Sequence, residues 1–131
     1  MPVLDASALF SYLTAARAYD AVHDALWSSD ELVWAPHLVD AEVGHVLRRA
    51  VMRNKLLEDQ AAQALRTLAD MPLRRAVHAP LLARAWALRS RASFYDALYL
   101  ALAELLEMPL LTLDARLSRV AGTSAQVQVL G

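Results

Sequence analysis

At 131 residues the chain has room for one domain with its own core and too little for two, and with 57% hydrophobic residues it can bury that core without help from metals or crosslinks. It contains no cysteine, which excludes a disulfide framework, a thiolate zinc site and a cysteine nucleophile and fits a reducing compartment. The formal net charge of −1 lacks the strong positive field of many nucleic-acid binders; twelve of the thirteen basic residues are arginine, whose planar fork suits phosphate, although a gene composition rich in Arg and Ala codons explains that usage more readily.

The first residues, Met1-Pro2-Val3-Leu4-Asp5, have no basic segment and soon meet an acid, so they do not read as a signal peptide. Val3-Leu4 is a short apolar run ending at Asp5, and a helical stretch follows from Ala6 to about Ala16. A second helix is expected from about Arg17 to Ser28, then a strand from Glu31 to Ala35 closed by Pro36. From Leu38 to Arg53 the positions Val39, Val43, Val46, Leu47 and Ala50 fall on one face at the 3.6-residue period. Another helix spans Leu57 to Ala69 and stops at Met71-Pro72, and Arg74 to Ala79 suggests a short strand. Pro80 suits the first residue of a helix running to about Arg91. Ser93 then caps a helix to Glu107, which Pro109 ends. Leu110 to Leu113 is the clearest buried strand, Asp114 to Val120 a short helix, and Val127 to Leu130 a last strand. The longest apolar stretch, Phe94 to Leu113, is broken by Asp96, Glu104 and Glu107; a membrane span needs about 20 mostly apolar residues without such charges.

With no repeat or linker, residues 1–131 read as one α/β domain of three layers, a mostly parallel sheet with helices on both faces. Ligands of such sheets bind beyond the carboxyl ends of the strands. Asp5 and Asp114 each close a strand and open a helix, so they share that rim if their strands are neighbours, and each also suits a helix N-cap. Asp96 sits in a helix that is apolar on nearly every face, where a carboxylate is costly unless paired, hydrogen-bonded or bound to a metal. Ser93-Phe94-Tyr95-Asp96 also fits a capping box, which explains Asp96 taken alone; beside the other acids, metal ligation is the reading adopted. Periodicity does not separate Glu42 from Asp40, which flank opposite edges of the apolar stripe between residues 39 and 50. Arg49, two turns after Glu42, shares its edge and suits a phosphate contact.

Four segments in order resemble the signature blocks of PIN domains, and more narrowly the VapC toxins of bacterial toxin–antitoxin pairs. They are Leu4-Asp5-Ala6-Ser7-Ala8-Leu9, Pro36-His37-Leu38-Val39-Asp40-Ala41-Glu42-Val43 with Leu47-Arg48-Arg49, Tyr95-Asp96-Ala97-Leu98-Tyr99-Leu100-Ala101-Leu102-Ala103, and Leu111-Thr112-Leu113-Asp114-Ala115-Arg116-Leu117. Any one block is weak evidence; all four in order, spanning essentially the whole chain, are specific. The resemblance implies that Asp5, Glu42, Asp96 and Asp114 are the metal-binding and catalytic acids, which selects Glu42 over Asp40. It places Ser7 and Thr112 as hydroxyls supporting the acids; Arg49 and Arg116 stand beside them as candidate substrate contacts. His45 departs from the small polar residue, often Asn, common near that position, and is read as a surface residue. His23, His37 and His78 show no site-like spacing.

Hard divalent cations take oxygen ligands, Mg²⁺ binding a few carboxylates while keeping several waters; such an ion lowers the pKa of a bound water and stabilises charge on a phosphate. The resemblance therefore implies a cytoplasmic, Mg²⁺-dependent endoribonuclease, with Mn²⁺ as a possible substitute, partnered by a small antitoxin and forming a homodimer. Trp27, Trp34, Trp86 and the Leu- and Ala-rich stretch Leu81 to Leu88 offer apolar surface for such partners, unless all three Trp are core. Alternatives within the family are an RNA-processing nuclease outside a toxin–antitoxin pair and a binding module that cuts nothing. A receiver domain would need an acidic neighbour for Asp5 and a later Lys, whereas Lys55 is the only lysine; an aspartyl phosphatase would place a second Asp where Ser7 stands.

Overall fold

Short apolar runs between turn residues become the strands, and longer runs with helical period become the helices that cover them. A computed structural model describes residues 2–27 and 32–131. The strands are β1 Val3–Leu4, β2 Val33–Pro36, β3 Leu73–Ala76, β4 Leu110–Thr112 and β5 Val127–Val129; the helices are α1 Ala6–Leu13, α2 Tyr19–Trp27, α3 Leu38–Met52, α4 Glu58–Asp70, α5 Leu82–Ala87 and α6 Phe94–Leu106. Two 3₁₀ turns, Ala79–Leu81 and Ala115–Arg119, precede α5 and follow β4. The strands form one sheet in the order β3-β2-β1-β4-β5, and every pairing is parallel. The expected three-layer α/β class therefore holds, with a sheet that is wholly rather than mostly parallel.

Parallel strands require crossovers, and the helices supply both outer layers. Helices α1 to α4 pack with one another, while α6 packs on α5 and on strands β1, β2 and β4. Helix α6 is the central one: all seven residues from Ala97 to Ala103 are buried. Its alternating Leu and Ala side chains let the backbone lie close to the sheet, and a leucine sealed there, such as Leu100, stabilises by about 1.5–3 kcal/mol. In α3 the buried residues are Val39, Val43 and Leu47, spaced by four as an inward stripe requires. No side chain of its own caps α3; instead the Nε2 of His78 accepts the free N–H of Leu38 at 3.0 Å.

Several expected boundaries move. Helix α1 ends at Leu13 and α2 begins at Tyr19, because Ala15 and Ala18 adopt left-handed backbone, with φ of 52° and 64°. The expected helix from Pro80 to Arg91 splits into a 3₁₀ turn and the short α5. Beyond Ala87 the chain makes i→i+3 turns, Arg89 N–H to Trp86 O and Arg91 N–H to Leu88 O, bringing it round to the Ser93 cap. The segment after Asp114 is a 3₁₀ turn, and β3 runs over Leu73–Ala76 rather than 74–79. The expected ends at Ser28 and Glu31 lie outside the described residues.

Candidate active site

Strands β1 and β4 are adjacent at the point where the strand order reverses, so the crevice beyond their carboxyl ends is where an α/β sheet binds ligands. Leu4 pairs with Leu111 and the Asp5 N–H donates to Leu111 O at 3.2 Å, which sets Asp5 beside Thr112. Asp5 is 6% exposed, and its carboxylate is fixed from three sides. Oδ1 accepts from the Ser7 hydroxyl at 2.6 Å and from the Ala8 N–H at 3.0 Å, the latter as N-cap of α1; Oδ2 accepts from the Thr112 hydroxyl. A hydroxyl has one proton to give. With both protons committed to Asp5, the 3.3 Å approach of Ser7 to Thr112 is a contact of acceptors. Their lone pairs serve β4's exit: the Leu113 N–H donates to Ser7 Oγ and the Asp114 N–H to Thr112 Oγ1, each at 2.9 Å.

Asp96 lies in the first turn of α6. Ser93 Oγ accepts the Asp96 N–H at 3.0 Å, so the cap is made, but among the described residues the reciprocal bond, Ser93 N–H donating to the Asp96 carboxylate, is absent. Only half of the capping box forms. Glu42 comes from the second turn of α3 and is half-buried. Asp5, Glu42 and Asp96 feel one another's charge: burial first, then neighbouring carboxylates, hold all three above the usual carboxylate range. The hydrogen bonds from Ser7 and Thr112 to Asp5, the Tyr99 hydroxyl beside Glu42 and the Ser93 hydroxyl beside Asp96 offset part of that rise. Among the described residues no cation pairs with Asp5 or Glu42.

Asp114 stands apart, meeting this group through Asp96 alone. Its carboxylate accepts the Arg116 N–H at 3.0 Å and is clasped by the Arg116 guanidinium, Nη2 to Oδ2 at 2.6 Å, which holds its ionisation below the usual range. Accordingly, among the described residues no three acidic or imidazole side chains converge closely enough to hold an ion as they stand. Arg116 is thus the partner of Asp114 here, and its side chain is otherwise largely exposed. Arg49 is exposed on α3.

Asp40 faces elsewhere. Arg75 grips both its oxygens, at 2.7 and 2.9 Å, and also donates to Leu68 O, tying α3 to β3 and to the end of α4. His45 joins Leu38, Ala41, Glu42 and Tyr95 around an open cleft of about 360 Å³. The residue that sequence reasoning passed over is Tyr99. It is 1% exposed, its hydroxyl is sealed from solvent with no partner at hydrogen-bonding geometry, and burial first, then the nearby Glu42 carboxylate, push its ionisation up. The available signal was spacing: Tyr99 is three residues after Asp96, on the same face of α6.

A family model described as PIN domain matches residues 3–123. The chain is 42% identical to Ribonuclease VapC1 of Mycobacterium tuberculosis, covering 98% of this chain and 96% of the relative. It is 35% identical to Ribonuclease VapC12 of the same organism, covering 99% of each. Among solved structures, PAE2754 from Pyrobaculum aerophilum superposes with a TM-score of 0.73 at 25% identity, over 98% of this chain and 83% of that one. VapBC2 from Rickettsia felis, solved with a DNA fragment from the promoter of the pair, also gives 0.73; at 13% identity, over 99% and 98% of the chains, it speaks for the fold alone.

Proposed function

The chain belongs to the PIN domain family, and from that premise we propose that it is an endoribonuclease that hydrolyses RNA phosphodiesters with the help of a divalent cation, the toxin of a VapBC-type pair. The observation that carries the reading is the grouping of Asp5, Glu42 and Asp96 by the crevice beyond β1 and β4, where burial and neighbouring carboxylates hold all three above the usual carboxylate range. Identity of 42% and 35% over nearly the full length to proteins named as VapC ribonucleases supports it. The donor set fits the ion: every candidate ligand is a hard carboxylate oxygen, as Mg²⁺ and its substitute Mn²⁺ prefer.

When bound, such a cation supplies Lewis acidity that stabilises charge on a phosphate and eases deprotonation of water. Asp5, Glu42 and Asp96 would hold it, and Asp114 would join once Arg116 lets go. Ser7 and Thr112 hold the Asp5 carboxylate in one orientation and keep part of its negative charge available despite burial. The Asp114–Arg116 clasp is exposed, and exposed ion pairs are weakly held. Exchange of the Asp114 carboxylate for an RNA phosphate therefore suits Arg116 well, since its fork matches either anion; Arg49, exposed on α3, is a second candidate phosphate contact.

The finer parts of the proposal are a cytoplasmic site of action, a small antitoxin that covers these acids, and a homodimer. Exposed apolar side chains on α5, Trp86 and Leu82, together with Trp27 on α2, supply contact surface for the last two. Among the described residues no helix is long and apolar enough to cross a membrane. The test is cleavage of RNA by purified protein in Mg²⁺ or Mn²⁺, with EDTA and Asp5→Asn as controls. Internal cuts that vanish in both controls are expected; intact RNA in both metals, or cutting that persists in Asp5→Asn, would overturn the assignment.

A further inference from the structure

We propose that Tyr99 is a positioning residue of this site, its phenol O–H held in reserve to orient the Glu42 carboxylate for a divalent cation. A buried polar atom without a partner is a cost that folded proteins seldom carry without cause. Tyr99 is the sole buried side chain with such an atom among the described residues, and it lies within the acidic cluster rather than elsewhere in the core. Phenylalanine would fill the same space on α6 without leaving an orphan. Here the hydroxyl feels the Glu42 carboxylate most strongly and then Asp5 and Asp96. Its O–H is a donor set beside Glu42 without a bond of good geometry as the side chains stand.

The other acids already have such guides: Ser7 and Thr112 for Asp5, Ser93 for Asp96, Arg116 for Asp114. Glu42 is the longest of the four side chains and has no guide from its own helix. Tyr99 reaches it from α6, across from α3. A bond from the phenol to one Glu42 oxygen would leave the other oxygen for the cation. Partners that orient a metal ligand typically change affinity or activity by 10–100-fold when removed.

This role rests on the nuclease reading above, and the experiment separates the two. Mn²⁺ affinity is measured calorimetrically on the purified parent, Tyr99→Phe and Glu42→Gln, together with the melting temperature of each in EDTA. Because the orphan is removed and the ring kept, Tyr99→Phe is expected to melt at or above the parent temperature in EDTA while binding Mn²⁺ about tenfold more weakly. A core role alone predicts unchanged affinity, and that result refutes the proposal. If Glu42→Gln binds Mn²⁺ as the parent does, or the parent binds none, the assignment of Glu42 to the cation fails first and the role of Tyr99 fails with it. A Tyr99→Phe protein that melts well below the parent in EDTA also counts against it, since the hydroxyl would then have a structural partner.

Discussion

Replacing Thr112 by valine tests the hydroxyl that joins β4 to Asp5. Thr112 is fully buried, so water cannot substitute for the lost group. Its O–H donates to Asp5 Oδ2 and its lone pair receives the Asp114 N–H. Losing a hydrogen bond to a charged acceptor costs about 1.5–3 kcal/mol, and stranding a half-buried N–H adds about 1 kcal/mol. The new methyl returns up to about 0.8 kcal/mol by burial, and valine keeps the β-branched shape that a strand favours. The net expectation is a loss of about 2–3 kcal/mol, or about 7–11 °C in melting temperature for a domain of this size. Thr112→Ser is the control: it keeps the hydroxyl and gives up one methyl, about 1 kcal/mol. Urea unfolding of the three proteins in EDTA measures the difference, and the valine variant should be the least stable. A valine variant as stable as the serine variant would refute the reasoning, because the hydroxyl would then contribute nothing beyond its volume.

Glu42→Gln should abolish RNA cleavage, whereas Asp40→Asn should retain it and lose no more than about 1 kcal/mol of stability, because the Asp40–Arg75 pair is partly exposed; loss of cleavage in Asp40→Asn at normal melting temperature would reverse the assignment on α3. For Asp96→Asn, relief of like-charge repulsion should leave stability in EDTA unchanged or higher, and the rise in melting temperature that millimolar Mn²⁺ gives the parent should mostly disappear. Identical Mn²⁺ responses would leave Asp96 as a helix-start residue only. Glu104 gives the pH test: Arg84, Thr123 and the Ser124 N–H hold its carboxyl below the ordinary Glu value of 4.5, despite burial. A lowered folded value means stability that is fully present above pH 4.5 and lost as pH falls through the folded value. Parent and Glu104→Gln should differ by about 1 kcal/mol at pH 7 and converge in acid; a constant difference down to pH 3 would exclude the charge as its source.

Period and punctuation in the sequence determined the order of strands and helices. Leu110 to Thr112 is apolar and bounded by Pro109, Val39, Val43 and Leu47 repeat at helical spacing, and Ser93 opens α6 as its cap. These are local effects, set by backbone preference and by which face must leave water. Asp5 and Asp114 were legible for the same reason, since each ends a strand and starts a turn. The breaks at Ala15 and Ala18 were not, because alanine carries no sign of a left-handed backbone. Nor did periodicity choose between Glu42 and Asp40, which flank one stripe in equivalent fashion. The resemblance chose Glu42, and the fold gives a physical counterpart: Arg75 arrives from β3 to take Asp40, and Tyr99 arrives from α6 to meet Glu42. Such meetings join residues 35 and 57 positions apart, and only packing of the layers decides them. The same holds for charge. A carboxylate's affinity for its proton depends on the water it loses and the charges it meets, so the rise in Asp5, Glu42 and Asp96 belongs to the tertiary structure, whereas the fall in Asp114 is local, set by Arg116 two residues along the chain.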